Sequence, residues 1–145
     1  MDKKIVIIPI VVLIGFIAFD WITGFSDQDE KINEDIFHIT LADPELYVNG
    51  VYSEKFLIES GTYFFRFVPN GSSPEILSIK LIGQNYTFEE DFELVGIPHE
   101  SETAKYFTWK YVGNEKIIID SSQEISISID PNGNVKGSVS VDLIK

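Results

Sequence analysis

No cysteine occurs in the 145-residue chain. Disulfides, thiolate metal sites, cysteine nucleophiles and cysteine-linked lipids are thereby excluded, so any domain must hold together by its core alone. Arginine is reduced to Arg66, which removes most of the planar guanidinium anchors that grip phosphate or carboxylate. Histidine appears only as His38 and His99, without the spaced pair that zinc or copper sites use. Base is scarce beside acid: 11 Lys and Arg stand against 23 Asp and Glu, for a formal charge of −12. Phosphate backbones repel such a surface, so nucleic acid is not an expected partner. No glycine-rich loop opens a helix to cradle phosphate, and no nucleophile elbow marks a hydrolase. Neither a cofactor nor a catalytic residue is expected.

What the chain does have is apolar residues, at 44% of the total, with 13% aromatic. That is too hydrophobic for a disordered chain and enough for one domain with an appendage. The first apolar block is continuous. Ile5 to Phe19 carries no charge, Asp20 interrupts, and Trp21 to Phe25 resumes. As a helix, residues 5–25 span about 31 Å at 1.5 Å per residue, enough for a hydrocarbon core of roughly 30 Å. Lys3 and Lys4 precede the block and put the N-terminus inside. Trp21 suits the interfacial aromatic belt, and Asp20 falls near the outer headgroups, where a charge costs least. The expectation is an uncleaved signal anchor over residues 1–25. A cleaved signal peptide and a buried core helix are the alternatives. The first lacks good small residues before a cut, and the second is a poor fit to a segment apolar all round. Ser26 to Asp35 then places five carboxylates in ten residues and reads as a solvated stalk.

From residue 36 onward the hydrophobic period is two. Phe37, Ile39 and Leu41 alternate with polar residues, as do Leu77, Ile79 and Leu81; Phe107, Trp109 and Tyr111; Ile125, Ile127 and Ile129; and Val139, Val141 and Leu143. Less regular β-rich stretches cover Leu46–Tyr52, Lys55–Ile58, Thr62–Val68, Tyr86–Leu94 and Lys116–Ile119. Breaks fall at Asp43-Pro44, Asn49-Gly50, Ser60-Gly61, Gly83–Asn85, Gly96–Ser101 and Gly113-Asn114. Pro131-Asn132-Gly133 and Pro69-Asn70-Gly71 have the chemistry of bulged hairpins, with glycine taking the left-handed conformation. The expected domain, residues 36–145, is an all-β antiparallel sandwich of jelly-roll type on the outer side of the membrane.

Site candidates are few. Asn70-Gly71-Ser72 and Asn85-Tyr86-Thr87 are glycosylation sequons in expected turns. Glu89, Glu90, Asp91 and Glu93 cluster four carboxylates, and His99 sits in an expected loop. These five are the metal candidates, but a strand sends its acids to alternating faces, and the acids also suit a solvent edge. Asp130-x-Asn132-Gly133-Asn134 faintly resembles a calcium loop. It lacks the terminal glutamate and flanking helices of one, and a turn accounts for it.

The stretch GTYFFRFVPNGSSPEILSIKLIGQNYTFEEDFEL, residues 61–94, resembles the opening half of a GOLD-type (emp24/gp25L/p24-like) sandwich. Residues 125–144 resemble the terminal hairpin of such domains and of prepeptidase-C-terminal-like jelly rolls. The whole chain is similar to small single-pass envelope proteins of ammonia-oxidising archaea. The p24 cargo receptors carry a C-terminal anchor, a sorting tail and usually a cysteine pair, none of which this chain shows, so a trafficking role is not implied. What the resemblance implies is a sandwich used for binding. The functional expectation is a membrane-anchored, non-catalytic binding or assembly module meeting envelope proteins, glycans or a surface layer. The alternative is an accessory subunit of an integral membrane enzyme complex, with Gly15 and Asp20 at helix contacts. A metal-binding or hydrolytic envelope enzyme is the third class.

Overall fold

A computed structural model describes residues 35–145. The anchor over residues 1–25, with Gly15, Asp20 and Trp21, and all of the stalk except Asp35 lie outside the described residues. Among the described residues, no helix is long and apolar enough to cross a membrane.

Among the described residues there are nine strands: β1 (Asp35–Leu41), β2 (Tyr52–Ile58), β3 (Gly61–Pro69), β4 (Ile76–Ile82), β5 (Thr87–Glu100), β6 (Lys105–Val112), β7 (Lys116–Ile119), β8 (Gln123–Asp130) and β9 (Val139–Ile144). They form two antiparallel sheets, ordered β1-β9-β3-β7 and β2-β8-β4-β5-β6. The alternating residues do what their period implies. Ile125, Ile127, Ile129, Leu77, Ile79 and Leu81 of the larger sheet are fully buried, as are Leu41, Val141 and Leu143 of the smaller. Each such side chain contributes about 1.5–3 kcal/mol of burial. The two inner faces share one core, in which Phe37 of β1 meets Phe56 of β2 at 5.2 Å and Phe67 of β3 meets Phe92 of β5 at 4.8 Å. The all-β class stands, and the paired sheets are compatible with a sandwich.

Three local expectations are corrected. Leu46–Tyr52 is not a strand: Asp43 caps a single 3-10 turn at Pro44–Leu46, its carboxylate accepting from the Glu45 N–H at 2.9 Å. Val48 and Val51 then bridge around Asn49 (φ 52°) and Gly50 (φ 81°), the left-handed pair of a tight turn.

The two Pro-Asn-Gly segments are not hairpins. Each joins strands of different sheets, β3 to β4 and β8 to β9, so the terminal hairpin implied by the resemblance is absent. Gly133 does take positive φ, at 94°, but it turns the chain between sheets. The reason is mutual docking of the two connections: Asn134 Nδ2 donates to the Ser72 carbonyl at 3.2 Å, and Asn70 Nδ2 donates to Ser138 Oγ at 2.9 Å.

Finally, Gly96–Ser101 does not break β5, which runs on to Glu100. Beyond Glu93 it has lost β4 and keeps only β6 as a neighbour. Proline is tolerated on such an edge, and Pro98 sits there.

Candidate binding surface

The loss of β4 as a neighbour makes the most unusual surface of the domain. β5 pairs with β4 only over Thr87–Glu93, whereas it pairs with β6 from Glu93 to Glu100. Residues 95–100 and 105–110 therefore form a two-stranded ribbon projecting past the larger sheet. Isolated ribbons are marginal in water, and Trp109 packs this one against the β3–β4 connection. Trp109 lies between two glycines: a Cβ built on Gly96 would meet its ring at 2.8 Å, and one on Gly71 at 3.2 Å. Gly96 is thus a position where absence of a side chain makes room for an aromatic plane.

Past that contact the ribbon is exposed and apolar. Tyr106 is 52% and Phe107 58% exposed, and at the base of the ribbon, opposite Glu93, Val112 is 48% exposed. Seven of the eight β6 residues are exposed, and only Tyr111 is buried. Phe107 packs on Trp109 on the inner face, with centroids 5.9 Å apart. On the outer face Tyr106 stacks on His99 at 5.0 Å, and His99 Nε2 lies 2.8 Å from Thr108 Oγ1. Tyr111, at the base, donates its hydroxyl to the Pro74 carbonyl at 2.6 Å, and burial pushes its phenol well up. The ribbon leaves the end of the domain opposite Asp35. Asp35 shares a cross-strand row with Ile144 and Phe64, whereas Pro69, the strand end nearest Gly71, lines up with Val139 and Leu41.

A second grouping lies on the outer face of the smaller sheet. The register sets His38, Asp142 and Arg66 side by side across β1, β9 and β3. The Asp142 carboxylate accepts from His38 Nδ1 on one oxygen and from Arg66 Nε at 2.9 Å on the other. Arg66 also reaches Asp35 at 3.2 Å. The Asp142 side chain is only 4% exposed because those two residues cover it. Burial pushes its pKa up, but hydrogen bonds from His38 and Arg66, and their charge, outweigh that and hold it below the ordinary carboxylate value. Thr40 Oγ1 stands 3.4 Å from His38 Nε2, which reproduces the connectivity of a hydroxyl, an imidazole and a carboxylate. Its nearer partner is Ser140 Oγ, at 2.9 Å. With Arg66 holding the second carboxylate oxygen, the row is a cross-strand tie between three strands.

The remaining sequence candidates are dispersed. Glu89, Asp91 and Glu93 point outward while Glu90 alternates to the inner side. Asp91 accepts from Ser78 at 2.6 Å, and Glu89 lies opposite Lys80. Among the described residues, no three His, Asp or Glu side chains group so as to hold a metal ion. His99 belongs to the ribbon, not to a loop. In the calcium-like run, Asp130 Oδ1 accepts from the Asn132 N–H and Asn134 Oδ1 from the Gly137 N–H. Both sequon asparagines are exposed in turns. Asn70 is engaged there, its Oδ1 accepting from the Ser72 N–H at 2.8 Å.

Sequence reasoning placed Phe107, Trp109 and Tyr111 on one face but not beyond the core. Sequence offered no signal for it: Gly96 and Pro98 read as a break, whereas β5 runs on to Glu100 and outlasts β4 by seven residues. The tie through Asp142 had no signal in sequence, since its members stand 28 and 76 residues apart along the chain and meet only through strand order. No family model, no curated protein and no solved structure matches this chain.

Proposed function

We propose that the protein is a membrane-anchored, extracytoplasmic binding or assembly module without catalytic activity, and that the β5–β6 ribbon is its recognition element. The observation that carries this reading is an edge strand, β6, whose exposed residues include Tyr106, Phe107, Trp109 and Val112. Exposed apolar edges invite another chain, and proteins that do not use them blunt them with charge, bulges or shortness. Among the described residues β6 exposes this apolar row despite Lys105 and Lys110, whereas β7 has four residues, β1 bulges between Asp35 and Phe37, and β2 exposes Leu57 alone among its large apolar side chains.

The finer reading of the fold, a jelly-roll or GOLD-type sandwich, belongs to the same proposal. It is supported by the frequent crossing of the chain between sheets. Sugar attachment at Asn70 and Asn85 is likewise part of the reading, supported by their exposure in turns.

The test is gentle solubilisation of native membranes, followed by identification of what migrates with the chain. Envelope or surface-layer components, or a second copy, support the module. A stoichiometric integral membrane enzyme held through residues 1–25 would replace it with the accessory-subunit reading.

A further inference from the structure

We propose that Asn49 is a modification site: in the folded protein its amide cyclises onto the Gly50 nitrogen and hydrolyses to aspartate and isoaspartate, while Asn70 and Asn132 are held back from the same reaction. The chain contains three Asn-Gly pairs, Asn49-Gly50, Asn70-Gly71 and Asn132-Gly133. Glycine after asparagine hinders this chemistry least, because no Cβ crowds the attacking nitrogen. Local sequence therefore makes the three pairs alike, and the fold separates them. The inference is independent of what the ribbon binds.

Two of the three amides are tied down. Asn132 Nδ2 donates to the Ile76 carbonyl at 2.9 Å, to Ser78 Oγ at 3.0 Å and to the Asp130 carbonyl at 3.3 Å. Asn70 Nδ2 donates to Ser138 Oγ at 2.9 Å, and its Oδ1 accepts from the Ser72 N–H at 2.8 Å. Asn49 is exposed, and among the described residues no partner holds its side chain. Backbone conformation does not account for the contrast between Asn49 and Asn132, since both stand at φ 52°. Their turns differ in what fixes them. Val48 and Val51 form an isolated bridge, with backbone bonds of 2.9 and 3.1 Å, and Val48 is 72% exposed. Opening that bridge frees Asn49 to rotate towards the Gly50 nitrogen, and such a local opening costs far less than unfolding. The Asn132 turn is instead tied to β4 through Ile76 and Ser78.

In the reaction the Gly50 nitrogen bonds to Asn49 Cγ, and Nδ2 leaves as ammonia with the proton from the Gly50 N–H. Water then opens the cyclic imide. Attack at Cγ breaks the new bond and gives aspartate, whereas attack at the main-chain carbonyl carbon breaks the old peptide bond and gives isoaspartate. One water is consumed and one ammonia released, so no oxidant, metal or enzyme is required. Aspartate keeps the turn, because it also tolerates the left-handed region. Isoaspartate adds a carbon to the main chain and takes Val48 and Val51 out of register. Either product adds a carboxylate to a chain already at −12, beside the start of β2 at Tyr52.

The test keeps the full-length chain in mild detergent and mildly alkaline buffer, with samples digested and read by peptide mass spectrometry over time. Asn49 is expected to convert first, with isoaspartate among its products. Asn70 and Asn132 should lag at least about tenfold, because two or three hydrogen bonds must break before either can react. The same time course in concentrated urea removes the fold and leaves the sequence, and there the three pairs should react at similar rates. Folded Asn70 or Asn132 keeping pace with Asn49 overturns the inference. So does an Asn49 that stays intact while the denatured chain reacts. A ranking that persists unchanged in urea overturns it as well, because the difference would then lie in the neighbouring sequence and not in the fold.

Discussion

Asp142 and Arg66 face each other across β9 and β3, with Arg66 Nε 2.9 Å from an otherwise buried carboxylate oxygen. Folding holds the Asp142 pKa below its ordinary value of 3.8. The folded state therefore binds this proton less readily than the unfolded state. The resulting stability is complete above the unfolded value and is lost as pH falls through the lower, folded value. Asp142→Asn should cost about 1–3 kcal/mol near neutrality, the range for breaking charge-assisted hydrogen bonds to a buried group. Urea unfolding at pH 7 and at pH 3 checks it: the gap between variant and wild type should narrow at the lower pH.

Gly133 stands at φ 94° with nothing within 4 Å of where a Cβ would go. Space is therefore not the constraint, and backbone conformation is. Gly133→Val should cost about 1 kcal/mol or more, because a β-branched residue is strained at positive φ. Gly133→Asn should cost less. Paired thermal melts decide, and equal stability of the two would contradict the assignment.

Tyr47 buries its hydroxyl with no hydrogen-bond partner among the described residues, and burial pushes its phenol pKa up. An unsatisfied buried hydroxyl carries a desolvation penalty that phenylalanine does not. Tyr47→Phe should leave stability unchanged or raise it by about 1 kcal/mol. Tyr111→Phe, which strips the Pro74 carbonyl of its donor, should lower stability by a similar amount. The denaturant midpoint should therefore fall for Tyr111→Phe and hold or rise for Tyr47→Phe.

Gly96 makes room for Trp109, and a side chain there would meet the ring at 2.8 Å. Gly96→Val should free the ribbon without melting the sheets. Amide hydrogen exchange should accelerate across residues 95–110 and stay unchanged in β4 and β8, since local opening and global unfolding are separable. Gly71→Ala, whose added carbon meets the ring at 3.2 Å, should give a weaker version of the same effect.

Much of the strand content was legible because Ile125, Ile127, Ile129 and their counterparts alternate cleanly, and period two leaves little choice of secondary structure. Strand order was not legible. Pro131-Asn132-Gly133 has the same local chemistry whether it closes a hairpin or carries the chain to the other sheet, and the choice is made by docking against Ser72 and Ser138. Burial followed alternation in β4 and β8, which have neighbours on both sides. It failed at Phe107 because alternation reports which face a residue takes, not whether anything covers that face. Asp142 failed in the opposite sense: a carboxylate on a polar face is buried because His38 and Arg66 lie over it. The ribbon depends on β4 ending before β5, and the Asp142 row on β9 lying between β1 and β3; period and turn chemistry carry neither.

The central claim is that the protein works by binding through the ribbon and not by chemistry at its histidine. It is tested most directly by recovering the full-length chain from gently solubilised native membranes in three forms: wild type, Tyr106→Ser/Phe107→Ser, and His38→Gln. Wild type and His38→Gln should migrate in the same assembly, while the ribbon variant migrates as a smaller species with its fold intact by circular dichroism. Unchanged assembly of the ribbon variant, or a turnover lost only in His38→Gln, would contradict the account.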